Sequence, residues 1–306
     1  MTVALELQGI VKRYGRNRAL DGLDLSVPSG SIFGLVGSNG AGKTTAMALA
    51  TGLLRPDAGA INLLGDGPFN AECHAGRVTL LPQDSRFPPH ARVEELLRYY
   101  GHLQGSGGME LESTIDTLLD WVHLTDRRKS AVKTLSHGMT RRLAIAQAFL
   151  GQPDLVLLDE PLNGLDPLEA ARVRTLIRER RGRQAIVVSS HHLADLEAIC
   201  DTVAFIEKGK LVRQDSLAAI IQSWHRITYI LTRPGPPNET LSELATGVEW
   251  QASPDGLELT ALFSQDYSPE TLNAKVIPML LASGILEIKR GSDLETEYLR
   301  MHNQHQ

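Results

Sequence analysis

Along residues 3–8 of this 306-residue chain, apolar and polar side chains alternate: Val3, Leu5 and Leu7 against Ala4, Glu6 and Gln8. Residues 23–28 repeat the pattern, with Leu23, Leu25 and Val27 against Asp24, Ser26 and Pro28. A period of two predicts strands buried on one face, the habit of antiparallel pairs. Three later stretches differ. "SIFGLVG" (31–37), "DLVLLDE" (154–160) and "QAIVVSS" (184–190) are apolar nearly throughout. Continuous apolar runs suit parallel strands covered on both faces. Each is followed by polar or Gly-rich residues and then a helical pattern, the αβ alternation of a parallel sheet.

Between about 90 and 150 the period changes. "VEELLRYYGHLQG" (93–105), "MELESTIDTLLDWVHL" (109–124) and "SHGMTRRLAIAQAFLG" (136–151) carry apolar residues three and four apart, predicting helices inserted ahead of the second core strand. "DTVAFIEKGKLVRQD" (201–215) reads as a hairpin, and "TRPGPPNET" (232–240) as a loop or linker. The tail predicts short strands at about 225–232, 248–252 and 256–262, a helix at about 268–283, a strand at 285–290 and a last helix from 292. Leu272, Val276, Leu280 and Leu281 share one face of the first of these helices, and Leu294, Tyr298 and Leu299 one face of the last. Both stripes are expected to pack on a small sheet.

Composition narrows the class. The chain is 42% apolar and 22% charged, ordinary for a globular protein, and its formal net charge of −5 disfavours a nucleic-acid partner. Cys73 and Cys200 match neither a metal site nor a disulfide framework, which suits a reducing compartment. Asn238-Glu239-Thr240 has the form of a glycosylation acceptor and is expected to be inert there. The first residues lack a signal-peptide apolar region, and the longest apolar runs, such as "VIPMLLASGIL" (276–286), are too short to span a bilayer. Work at a membrane would need another chain to cross it.

The densest chemistry is at Gly37-Ser38-Asn39-Gly40-Ala41-Gly42-Lys43-Thr44, which matches G-x-x-x-x-G-K-[ST] between an apolar strand and a helix. Glycines let backbone N–H groups curl around phosphate oxygens, and the helix N-terminus adds partial positive charge. Lys43 can reach the β- and γ-phosphates, and the Thr44 hydroxyl can ligate Mg²⁺; Thr45 follows in the same turn. The loop is thus expected to bind a nucleoside triphosphate. At 155–158 an apolar strand ends in Asp159-Glu160. Ligands sit at such strand ends, and two acids closing a buried strand are costly without partners. Asp159 is expected in the Mg²⁺ shell and Glu160 as the group that orients or deprotonates an attacking water. The plainer alternative makes one acid a helix cap before Pro161.

With these residues in place, the chain resembles the ATP-binding subunit of an ABC transporter. "LSHGMTRRLAIAQAFLGQPDLVLLDEPLNGLDP" (135–167) is similar to the family signature running into the second phosphate-site strand, and the likeness covers about residues 3–215. It implies an α/β fold: a P-loop NTPase core of mixed or parallel sheet with flanking helices, an antiparallel β subdomain and a helical signature subdomain, plus a small α+β C-terminal domain. The boundaries expected are 1–220, with helices at about 88–150, and 221–306. It also implies that two copies sandwich two ATP molecules head to tail, each site pairing one chain's phosphate loop with the other's signature.

Position by position, the resemblance makes Tyr14 the aromatic that stacks on adenine, though a Tyr at a strand end is more often packing. It makes Gln83 a contact to Mg²⁺ and the attacking water. Ser136 and Gly138 become the signature residues that meet the γ-phosphate in trans, Asp166 an interface residue, and His191 the γ-phosphate sensor, with His192 as the alternative. The implied Mg²⁺ set is Thr44, Gln83 and Asp159. "LSHGM" departs from L-S-G-G-Q at His137 and Met139, and Leu162 stands where many relatives have Thr. Residues 16–65 resemble daunorubicin-resistance-type exporters and lipid, polysaccharide and copper-maturation transporters, which often carry a C-terminal extension ending in a helix like "SDLETEYLRMH" (292–302). The expected function is ATP binding and hydrolysis that powers export through a separate membrane-spanning subunit, from the cytoplasmic face of the membrane. The competing readings are a soluble ATP-driven switch, an importer subunit and a P-loop GTPase. The last lacks an Asn-Lys-x-Asp segment.

Overall fold

The structure, a computed structural model, describes residues 2–264 and 267–291. They fall into two compact units, with the break between residues 214 and 215. The break falls earlier than the boundary at 220 expected from sequence. The helix expected from 292, with Leu294, Tyr298 and Leu299, lies outside the described residues.

The first unit begins with β1 (Val3–Tyr14), β2 (Asn17–Pro28), β3 (Ile32–Val36), α1 (Lys43–Ala50), β4 (Ala58–Leu63), α2 (Ala71–His74) and β5 (Val78–Leu81). Then come α3 (Val93–Leu103), α4 (Gly108–Trp121), α5 (His137–Ala148), β6 (Leu155–Leu158), α6 (Pro167–Arg178), β7 (Ala185–Ser190), α7 (Leu193–Ile199), β8 (Thr202–Glu207) and β9 (Lys210–Ser216), whose last two residues lie past the break. Among the described residues the strands form an antiparallel sheet, order β2-β1-β4, and a six-stranded sheet, order β5-β6-β7-β3-β8-β9. The pairs β5/β6, β6/β7, β7/β3 and β3/β8 are all parallel.

The apolar runs are buried because the large sheet is covered twice. Phe33, Leu35, Leu155, Leu157, Val187 and Ile206 join one core with Met47 and Leu49 of α1 and with Leu5, Leu7, Leu23 and Leu25 of the antiparallel sheet. Residues of the other phase, Ile32, Val156, Ile186 and Val188, are fully buried too. On that side Gly34 faces α7: a Cβ there would lie 3.0 Å from Cys200 Sγ and 3.4 Å from Leu196 Cδ1. The alternation at the N-terminus fails at its first residue. Val3 is exposed while Ala4 is buried, because the β1–β2 register shifts between Val3 and Leu5.

The second unit contains α8 (Leu217–Ser223), β10 (Trp224–Leu231), α9 (Asn238–Leu244), β11 (Val248–Ala252), β12 (Glu258–Ser264), α10 (Pro269–Leu280) and β13 (Ile285–Gly291). Its antiparallel sheet has the order β11-β12-β10-β13. Tyr229, Trp250 and Phe263 of the sheet share a core with Leu272, Val276 and Leu280 of α10. Leu281 departs from the expected stripe and is exposed, because α10 ends at Leu280 and a single 3₁₀ turn follows. The Pro-rich segment 232–240 is a loop inside this unit, and its last residues open α9. No helix of the described residues is long and apolar enough to cross a membrane.

Candidate active site

Adjacent parallel strands bring separate pieces of sequence to one edge. Leu81 lies opposite Leu158, Leu158 opposite Val188, and Val36 opposite Ser190. The loop with Gln83, the Asp159-Glu160 pair, His191 and the glycine loop therefore leave the sheet side by side, at the C-terminal strand ends where α/β sheets hold ligands.

The glycine loop is shaped by close approach. A Cβ on Gly37 would lie 2.5 Å from the Ile206 carbonyl oxygen and 2.9 Å from Ala41 Cβ. Gly42 caps α1 at φ 112°, a left-handed conformation that favours glycine. Gly209 N–H donates to the Ala41 carbonyl at 3.0 Å and fixes the loop against the β8–β9 turn. Ser38, Asn39 and Gly40 form an exposed lip, and Thr45 is half-buried in α1. Lys43 is buried (5% exposed), and its Nζ donates to the carbonyls of Gly37 at 2.7 Å and Ser38 at 3.2 Å.

Two relays meet this loop. Thr44 Oγ1 donates to Asp159 Oδ2 at 2.7 Å, and Ser189 Oγ donates to Asp159 Oδ1 at 2.5 Å. Ser189 Oγ also accepts the Glu160 N–H at 2.9 Å. Glu160 stands at φ 49°, uncommon for a residue with a Cβ. Its buried carboxylate pairs with His191 Nδ1 at 2.7 Å and faces Lys43 Nζ at 3.7 Å. His192 lies beside His191, with ring centroids 4.0 Å apart and the ring planes tilted by 42°. Of the two histidines, His191 carries the bond to Glu160.

The remaining candidates lie around this centre. Gln83 is exposed, and its backbone carbonyl accepts from Arg141 Nη1 at 3.1 Å. Among the described residues no hydrogen bond joins its amide to Thr44 or Asp159. Tyr14 ends β1 half exposed, with its ring available to a ligand. Ser136 caps α5, its Oγ accepting the Met139 N–H at 3.2 Å. Gly138 is buried two residues on, within the first turn, where a Cβ would meet Glu169 Cγ at 2.9 Å. Asp166 caps α6 by accepting the N–H groups of Leu168 and Glu169, each at 3.0 Å. His137, the departure from the usual signature, lies against Gly164 of "NGLDP": a Cβ on Gly164 would be 3.3 Å from His137 Nε2. Leu162 is buried.

Thr44 Oγ1 and Asp159 Oδ2 fit Mg²⁺: both are oxygen donors, and they already converge. Among the described residues no cluster of three acidic, His or Cys side chains forms a metal cage. That suits a cation held by one carboxylate and completed by phosphate oxygens and water.

Sequence reasoning missed Ser189 and Arg141. Ser189 had a signal, a polar residue at the buried end of an apolar strand. Arg141 had a weaker one, a cation on a helix face that is otherwise core.

A phosphate-loop strand, a helix opening on Lys43 and an acid-tipped neighbouring strand define a P-loop nucleoside-triphosphatase. Residues 20–163 match the ABC transporter family. Two relatives extend the match over nearly the whole chain. The Nod factor export ATP-binding protein I of Burkholderia lata is 32% identical over 302 residues, covering 97% of this chain and 96% of the relative. Its counterpart in Burkholderia thailandensis is 33% identical, covering 98% of each. Among solved structures, an ATP-binding subunit of an ABC transporter superposes with a TM-score of 0.64 at 28% identity, over 71% of this chain and 91% of that one. An ATP-binding cassette in its ADP conformation shares the fold, with a TM-score of 0.63 at 21% identity over 71% of this chain and 92% of that one. The chain belongs to the ABC transporter family as an ATP-binding subunit. It is an ATPase subunit that takes ATP with Mg²⁺; such subunits in general dimerise and work with membrane components.

Proposed function

We propose that this chain is the motor subunit of an export system, closing as a dimer on ATP and driving a membrane-spanning permease carried on a separate chain. The observation that supports this most is full-length similarity: the export-named relatives align through the second unit as well as the ATPase core. The likeness of residues 16–65 to daunorubicin-resistance-type exporters is a narrower form of the same reading. The working position is the cytoplasmic face of the membrane, with a second copy and the permease as partners.

The side chains then divide the work as follows. The glycine loop (Gly37–Gly42) and the α1 N-terminus bind the phosphates, and Lys43 exchanges the Gly37 and Ser38 carbonyls for phosphate oxygens. Thr44 and Asp159 hold Mg²⁺, which supplies charge neutralisation for the phosphoryl oxygens. Glu160 takes or orients the proton of the attacking water, and His191 fixes the carboxylate's direction through its Nδ1. Ser189 keeps both acids aimed. Tyr14 stacks on the base, and Gln83 reports the occupied site to the helices that follow it. The Ser136–Gly138 turn of a second copy brings an α5 N-terminus to the γ-phosphate, with Asp166 on the shared face. Helix α3 and the residues leading into it, 87–100, are the contact for the permease.

A pull-down tests the reading. Tagged Glu160→Gln protein is expected to hold ATP–Mg²⁺, dimerise and bring a polytopic membrane protein out of detergent-solubilised membranes. Recovery only of soluble partners would sink the transporter reading and favour a soluble ATP-driven switch.

A further inference from the structure

The Arg141 guanidinium is buried, and its donors all end on backbone carbonyls. Nε donates to Pro161 O at 2.9 Å. Nη2 donates to Glu160 O at 2.6 Å and Asp159 O at 3.1 Å. Nη1 donates to Gln83 O at 3.1 Å and Pro82 O at 3.4 Å. Arginine has five N–H donors in a rigid fork, and here that fork joins three segments far apart in sequence. They are the loop after β5, the turn after β6, and α5, the helix capped by Ser136. Burial lowers the pKa of Arg141 from its ordinary value, while Asp159, Asp84 and Glu160 favour its charge. Keeping a cation there costs free energy, which the carbonyls must offset.

From this geometry we infer that Arg141 is a positioning residue that makes the signature helix, the Gln83 loop and the Glu160 turn move as one body. Two details carry the inference. Glu160 is held at a left-handed φ of 49°, and its shortest carbonyl contact is the one from Arg141. The backbone of Glu160, which aims the carboxylate at His191, is thus gripped at its N–H by Ser189 and at its C=O by Arg141. In addition, a hollow of about 150 Å³ lies between the Gln83 loop and α5, lined by Gln83, Asp84, Arg86, His137, Thr140 and Arg141. The loop and helix are therefore not in tight side-chain packing throughout, and the guanidinium is the polar tie across the gap. When α5 is pulled by a nucleotide on a second copy, the tie carries that displacement to Glu160 and Gln83. Hydrolysis in one site then depends on whether this chain's own signature is engaged. The inference rests on the ATPase assignments of Glu160 and Ser136 proposed above.

The full-length chain with ATP–Mg²⁺ supplies the test. Arg141→Lys keeps the charge but loses the fork; Arg141→Gln loses both. Each is expected to lower kcat by roughly 10- to 100-fold, the scale on which a misplaced reacting group costs rate. Lys should be milder than Gln, and ATP affinity should stay within about twofold of the parent. Parent-like kcat in folded variants, or affinity falling in step with kcat, would overturn the inference. If neither variant folds, hydrogen exchange on the parent chain decides. Amides at 83–85, 160, 162–163 and 137–140 should change protection together on ATP binding; independent responses would overturn it. Glu160→Gln runs alongside: if it still hydrolyses ATP, the assignment of Glu160 fails, while the exchange experiment still judges the tie.

Discussion

Lys43 Nζ lies 3.7 Å from Glu160 Oε1, with both side chains only 5% exposed. The cation expected to bind phosphate and the anion expected to handle water thus face each other across the site. Each is also anchored elsewhere, Lys43 on loop carbonyls and Glu160 on His191. Removing one member of a buried pair leaves the other charge uncompensated, whereas a neutral isostere keeps the shape.

Glu160→Gln is accordingly the informative substitution. Single-turnover hydrolysis should fall by about 10² or more, the scale of general acid–base assistance. ATP binding should persist, because the phosphate-holding groups are untouched. Retained hydrolysis would remove Glu160 from the chemistry.

Ser189→Ala tests the relay between the two acids. It leaves Asp159 Oδ1 and the Glu160 N–H without their partner. A buried polar group left unsatisfied costs about 1–3 kcal/mol, so thermal or urea unfolding should show a loss of that size and turnover should drop with it. An unchanged unfolding curve would mean that the hydroxyl is not needed there.

Gly138→Ala tests the signature turn. The new methyl would meet Glu169 Cγ at 2.9 Å, and Glu169 cannot simply step aside, because it is paired with Arg142 and Arg172. Overpacking of this kind costs about 1–3 kcal/mol. In a Glu160→Gln background, the variant should still bind ATP by calorimetry, while light scattering should show no ATP-dependent dimer. Dimers of normal strength would place the interface elsewhere.

The helical region offers a pH test. Arg98, helped by Arg128, holds the Glu112 carboxyl below its ordinary value of 4.5. A depressed acid contributes stability that is present above its unfolded-state pKa and is lost as pH falls through the lower folded-state value. Urea unfolding of parent and Glu112→Gln should therefore differ at neutral pH and converge in acid. The pairs are partly exposed, so the gap should be at most about 1 kcal/mol. A gap that widens in acid would contradict the sign.

The glycine loop was legible because its residues are consecutive and their chemistry is local. The parallel strands were legible because burial on both faces leaves nothing polar to interrupt the run. Partnership was harder. Asp159, Glu160 and His191 could be placed at strand ends, but the bonds running through Ser189 join residues about thirty apart, and periodicity does not report them. Arg141 stood out in no way within its helical segment, since its acceptors come from two other segments. Val3 and Leu281 went astray for a simpler reason: a register shift and a helix end each move a residue to the opposite face, and neither event marks the apolar pattern.

The parallel order β5-β6-β7-β3 has a consequence for how such a motor can change its partner. Strands sit about 4.8 Å apart, so four of them set a ruler of roughly 14 Å along which the reacting groups stand. Gln83 and Asp159 follow neighbouring strands, yet α3, α4 and α5 all intervene between them in the chain. Everything in that excursion can lengthen, shorten or change its surface while the ruler keeps its graduations. If the proposed contact at α3 holds, recognition of a new membrane component would evolve inside a single loop of the sheet, without resetting the chemistry at its ends.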